Sequence, residues 1–138
     1  MIQFYKRYKN KYRFYASKAS NMSTSVNVYL GQNTVIDKLS INQLKESTTT
    51  VYIGDNTYID ELTIYNNGVQ SNIIRIGSNC FLKKRIVLQE FVSIGNHCRL
   101  ENDVILNKCV KIRPHSTILA SVLIPDYKII EAHSVMKW

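Results

Sequence analysis

His97, His115 and His133 are the three histidines of this chain, and they are spaced by eighteen and eighteen. Imidazole titrates near neutral pH, ligates zinc and hydrogen-bonds through two distinct nitrogens, so a histidine repeated at a fixed interval is where chemistry is sought first. One use is proton transfer, with a ring as general base for a hydroxyl or amine. A second is metal ligation, which requires three or four ligands converging at about 2.1 Å. A third is conformational. Each histidine is the fourth residue of a repeat unit, in the place that Asn33, Asn56 and Asn79 hold earlier. Asn, Asp and His are the non-glycine residues enriched in the left-handed backbone region that a tight corner demands. Side chains stacked along one corner point outward in parallel, so no metal is expected there.

The elements that must position this column follow from the spacing of the apolar residues. Ile76, Leu82, Leu88, Ile94, Leu100, Leu106, Ile112, Ile118, Ile124 and Ile130 recur every six residues. Two places before them run Ile74, Cys80, Ile86, Val92, Cys98, Val104, Val110, Ser116 and Val122, a second column of small or β-branched side chains that Lys128 breaks. A period of six with two inward positions suits neither a helix at 3.6 nor a plain strand at 2. Short strands joined by corners keep both columns inside, which predicts an all-β parallel β-helix of about six coils. Ile76-Gly77-Ser78-Asn79-Cys80 is answered eighteen residues later by Ile94-Gly95-Asn96-His97-Cys98, so three sixes make one coil. Before that the step is twenty-three, from Leu30-Gly31 to Ile53-Gly54 to Ile76-Gly77. The five extra residues are expected in two polar loops, near 42–50 and 66–72. Residues 23–130 make the coil and 131–138 a tail, because Lys128 in an inward slot predicts that regular coiling stops at Pro125.

The Ile/Leu column followed by Gly, with small residues two places earlier, resembles the hexapeptide-repeat acyltransferases across residues 24 to 130. The resemblance implies a left-handed, triangular β-helix and a homotrimer. It implies transfer of an acetyl group from acetyl-CoA to a sugar hydroxyl or amine in surface-polysaccharide synthesis. In this family a histidine on the outside of the coil, in the cleft between two subunits, takes the acceptor's proton, which makes His97 the candidate base, with His115 in the same column. Asn79, one coil below, could hydrogen-bond the His97 ring; Arg99, Lys111 and Arg113 could meet the phosphates of coenzyme A. Two family features are missing. No acidic partner is visible beside His97, and where the family continues with G-x-P-A this chain reads Glu131-Ala132-His133-Ser134. Hence a second reading stays open, a trimeric scaffolding β-helix without activity. A zinc lyase or hydratase, as in related β-helices, is a third and the least favoured.

Charge separates the chain into two parts. Lys6, Arg7, Lys9, Lys11, Arg13 and Lys18 precede any acid, whereas the remainder carries twelve basic and ten acidic residues, so the net +8 describes mainly one end. Phe4, Tyr5, Tyr8, Tyr12 and Tyr15 fall at three- and four-residue steps, which predicts a short basic, aromatic helix within residues 1–22. Such a helix either covers the open first coil or meets a membrane surface through residues 1–18. Nucleic acid is not expected, because the body adds little positive charge. No apolar run is long enough to cross a membrane and no signal-peptide core is visible, so a cytoplasmic location is expected, at or near the inner face of the membrane. Cys80 and Cys98 lie one coil apart in the inward column and read as core thiols; Cys109 falls at a corner.

Overall fold

The computed structural model describes residues 2–6, 15–17, 25–44 and 46–137, with side chains described from Val26 onward. Among these residues every element is a strand, and every strand pairing is parallel. The strands lie in two curled sheets, the arrangement of a parallel β-helix. The first sheet stacks, in order, β1 (Ile2–Lys6), β3 (Ser25–Leu30), β5 (Thr48–Ile53), β7 (Ser71–Ile76), β10 (Ser93–Ile94), β13 (Lys111–Ile112) and β16 (Ile129–Ile130). The second begins with β2 (Tyr15–Ser17), β4 (Val35–Gln43) and β6 (Tyr58–Asn66) and then divides. The first part of β6 pairs β8 (Phe81–Leu82), followed by β11 (Arg99–Leu100), β14 (Thr117–Ile118) and β17 (Val135–Met136). Its second part pairs β9 (Ile86–Leu88), followed by β12 (Ile105–Leu106) and β15 (Leu123–Ile124).

Both apolar columns are interior. Leu82, Leu88, Ile94, Leu100, Leu106, Ile112, Ile118, Ile124 and Ile130 are all buried, together with Cys80, Ile86, Val92, Cys98, Val104, Val110 and Val122. Each coil closes over a small core, and its backbone groups are satisfied by the coils on either side, as in Gly77 N–H to Ile94 C=O at 2.8 Å and Val87 N–H to Val104 C=O at 3.0 Å. The sixth-residue spacing therefore serves burial and backbone pairing together.

The longer step of the early coils has a specific anatomy. Ile59, Leu62 and Ile64 stand opposite Leu82, Ile86 and Leu88, so the second corner is one residue shorter in the early coil. From Ile64 to Ile76 the chain then takes twelve residues where Leu88 to Ile94 takes six. The net excess is five. Much of it lengthens β6 and β7, leaving a turn at residues 67–70. Polar side chains fill this wider interior: Thr49 Oγ1 donates to Gln43 Oε1 at 2.6 Å, Asn66 Oδ1 accepts from Val69 N–H at 3.0 Å, and buried Glu90 accepts from Asn67 N–H at 3.1 Å.

Two expectations are corrected. The N-terminal helix is not present in the described residues: 2–6 and 15–17 are strands, Ile2 opposite Val26 and Tyr15 opposite Lys38. The reason is the unpaired edge of β3 and β4, whose N–H and C=O groups need partners that a helix cannot supply. Residues 7–14 and 18–22, which the expected helix also included, lie outside the described residues. Nor does coiling stop at Pro125. β16 pairs β13 and β17 pairs β14, so the stretch read as a tail carries a paired strand. Lys128 turns outward and is exposed, while Ile130 and Met136 keep the apolar spacing inside. No helix among the described residues is long and apolar enough to cross a membrane.

Ionic ladders join neighbouring coils at the surface. Arg85 beside Asp103 holds that carboxyl below the usual carboxylate range, and Lys83, then Arg99, do the same for Glu101. Because these folded-state values lie below the unfolded ones, their contribution is present above the ordinary carboxylate pKa and is lost as pH falls through the folded values. Thermal melts below about pH 4 should therefore show a steeper loss of Tm in the parent than in E101Q/D103N; parallel curves would remove these pairs from acid stability.

Candidate functional site

The corner that carries the histidines is built from four residues per coil, as in Gly95-Asn96-His97-Cys98, and each position has a separate physical task. At the first, a side chain has no room in the coils through Gly95, before Arg113 and Glu131 take the place: a Cβ on Gly77 would sit 2.7 Å from both Asn96 N and Gly95 C, and one on Gly95 2.8 Å from Pro114 N. Since no glycine here has positive φ, it is volume and not backbone freedom that selects glycine. The second residue holds the neighbouring coil's amide. Asp55 Oδ1 accepts from Gln32 N–H at 2.7 Å, Ser78 Oγ from Asp55 N–H at 2.9 Å, and Asn96 Oδ1 from Ser78 N–H at 2.8 Å.

The third residue is left-handed wherever this corner is described: Asn33, Asn56, Asn79, His97, His115 and His133 have φ between 53° and 62°. Its N–H donates back to the preceding corner, with His97 to Ser78 C=O and His115 to Asn96 C=O both at 2.9 Å. The other corners do the same with Asp103, Cys109, Ser121 and Tyr127, so the geometry is imposed on whatever residue stands there. The fourth residue points inward and donates forward. Thr34, Thr57, Cys80, Cys98 and Ser116 each reach the carbonyl of the first corner residue in the next coil, at 2.5 to 3.3 Å. The Cys98 thiol beside it, and burial, push the Cys80 thiol up, which keeps it a protonated donor. Cys80 and Cys98 thus act as hydroxyl substitutes in a ladder that apolar residues could not complete.

On this frame the imidazoles stack. His97 and His115 have centroids 4.6 Å apart and planes within 6°; His115 and His133 are 5.0 Å apart and within 5°. All three are exposed. Stacking covers the ring faces and leaves the edge nitrogens facing solvent, where an acceptor could be reached. Among the described residues no carboxylate pairs with any of these rings, and no group of three or more His, Cys, Asp or Glu is arranged to hold a metal ion. Asn79 precedes His97 in the column with the same left-handed backbone, and no hydrogen bond joins the two side chains among the described residues.

The three cations expected around His97 are divided by the corner. Lys111 and Arg113 lie on the first sheet's side, Arg113 with Glu131 at 3.8 Å and Lys111 without an ion pair among the described residues. Arg99 lies on the following face, its guanidinium 5.1 Å above the Phe81 ring and its Nε 2.7 Å from Glu101 Oε1. The sequence reasoning also missed a feature beside the corner. Tyr29 and Tyr52 stack at 5.0 Å, and Arg75 lies 4.8 Å above Tyr52. These three border a groove of about 410 Å³ that reaches Ser93 and Asn96. The outward positions one place before the Ile/Leu column read Tyr29, Tyr52, Arg75, Ser93 and Lys111, so the same period contained the signal.

No protein-family model matches the chain, and no curated protein matches it in sequence.

The corner makes a discriminating demand on residue type. His115→Asn, which restores the residue of the early coils, should leave the unfolding free energy from urea titration within about 0.5 kcal/mol of the parent. His115→Val should lower stability by about 1–2 kcal/mol or more, because a branched Cβ is disfavoured at positive φ. Equal stability of the two variants would show that the left-handed turn is not enforced.

Proposed function

We propose that this chain is an acyl-CoA-dependent acyltransferase, an acetyltransferase acting on a sugar hydroxyl or amine in surface-polysaccharide synthesis, with a left-handed β-helix of about six coils assembled as a homotrimer in the cytoplasm. The observation that carries the reading is His97, an exposed imidazole held by the backbone on the outside of a parallel coil. In this reading His97 takes the acceptor's proton as its oxygen or nitrogen attacks the thioester carbonyl; the C–S bond breaks, and the departing thiolate recovers the proton. Acetyl-CoA supplies the activated acyl group. Of the residues that would hold its phosphates, Lys111 and Arg113 fit best, since among the described residues Lys111 has no ion pair and Arg113 only a long, exposed one. Arg99 fits less well, because Glu101 already occupies it. In this reading His115 stacks on His97 and helps to orient its ring, and Asn79 is the preceding residue of the same column.

A specific observation favours the alternative of a scaffolding trimer. A catalytic histidine is commonly oriented by a carboxylate, and none pairs with this ring among the described residues. Thiol release from acetyl-CoA with a panel of sugar acceptors decides between the two. In the acyltransferase reading, His97→Ala lowers kcat by roughly 10²-fold or more, the scale of a general base, while His97→Asn keeps the melting temperature and also loses turnover. Turnover unchanged in both variants would remove His97 from the chemistry. Absence of turnover in the parent would leave the scaffold.

A further inference from the structure

We infer that the groove on the outer surface of the first sheet is a binding site for an anionic sugar unit, a hydroxyl-rich ring carrying one acidic group, read by Arg75 and the hydroxyls around it. This goes beyond the transfer reaction and does not depend on it.

Two faces flank the histidine corner, and they carry the same outward ladder. On one, Tyr29 and Tyr52 stack and Arg75 lies over Tyr52; on the other, Tyr58 and Phe81 stack at 5.1 Å and Arg99 lies over Phe81. They differ in charge balance. Arg99 is neutralised by Glu101, which also binds Lys83, whereas Arg75 makes no ion pair among the described residues. The groove beside Arg75, about 410 Å³, is lined by no carboxylate, and the next cation along the face, Lys111 opposite Ser93, is likewise without an ion pair. A guanidinium held by an aromatic ring, with its fork free, suits a planar or tetrahedral anion.

The rest of the lining sets the remainder of the ligand. Tyr52 has one ring face against Tyr29 and the other under Arg75, so it cannot offer a flat platform to a base or a sugar. What the groove presents are ring edges, the hydroxyls of Tyr52, Ser78 and Ser93, and the Asn96 amide, whose Oδ1 is already taken by Ser78 N–H. Hydroxyl-bearing ligands match such a surface, and planar aromatic ones do not.

The test is an NMR titration of the full-length ¹⁵N-labelled chain with four probes: glucuronate, glucose 6-phosphate, glucose and inorganic phosphate. At least one of the two acidic sugars should shift the amides of Gly77, Ser78, Ser93 and Gly95 more strongly than either glucose or phosphate, and the stronger of the two identifies the anion as carboxylate or phosphate. Arg75→Gln should weaken that binding by about tenfold or more, the scale of a lost charged hydrogen bond, and Arg99→Gln should leave it unchanged. Glucose or inorganic phosphate binding as well as both acidic sugars would overturn the assignment, as would undiminished binding in Arg75→Gln or the absence of shifts with either acid. Because the readout is binding alone, loss of acetyl transfer in a His97 variant would neither support nor harm it.

Discussion

The backbone hydrogen bond from a left-handed corner residue back to the corner of the coil before it is the interaction on which the rest depends. It recurs at Asn56, Asn79, His97, Asp103, Cys109, His115, Ser121, Tyr127 and His133, irrespective of side chain. A non-glycine residue resists this conformation, at a cost of about 1–2 kcal/mol each. The cost is offset because the turn sends the chain onto the next face at the right residue, so that the following strand meets its neighbour in register and its apolar side chain falls inside. Without the turn, both the backbone pairing and the burial of the next six residues would be lost together.

The inner hydroxyl and thiol ladder complements this bond. Thr34, Thr57, Cys80, Cys98 and Ser116 donate forward along the coil, while the left-handed amides donate backward, so the His97 and His115 corners are held from both sides. Rigidity of this kind suits a site more than a loop would, because a side chain on such a corner keeps its position without a partner of its own. Regular stacking also means that every outward column becomes a ladder of near neighbours at strand spacing. Imidazoles meet imidazoles, tyrosines meet tyrosines, and cations meet whatever the next coil places beside them. The charge balance of a face is then decided by one or two substitutions, as Glu101 does for Arg99 and nothing among the described residues does for Arg75.

Much of this was legible in the residues. The sixfold Leu/Ile column, the Asn-to-His corner column and the two inward cysteines could be assigned because period alone determines which side chains share a side. The misjudged places are those where period competes with another force. Phe4, Tyr5, Tyr8, Tyr12 and Tyr15 satisfy a helical spacing, yet residues 2–6 and 15–17 pair as strands, because an open sheet edge outweighs local amphipathicity. Lys128 interrupts the inward column, yet the coil continues, because a long, flexible side chain at the last coils turns to solvent while Ile130 and Met136 hold the interior. The five-residue excess was legible as a number, but its division into a shorter corner and longer strands was not, since both keep the same total.

From its sequence alone the chain determined a repeating coil, the identity of its interior and the alignment of its three histidines, because these depend only on which residues recur at which interval. Tertiary structure decided which outward columns lie beside one another across a corner. Arg99 and Lys111 are twelve residues apart in the chain but stand on different faces, while Tyr52 and Arg75 are twenty-three apart and in contact. Separation in residues is not by itself a measure of closeness, since lateral neighbours are set by how many residues each coil spends at each corner, and the contacts between them form only when the backbone hydrogen bonds of successive coils come into register.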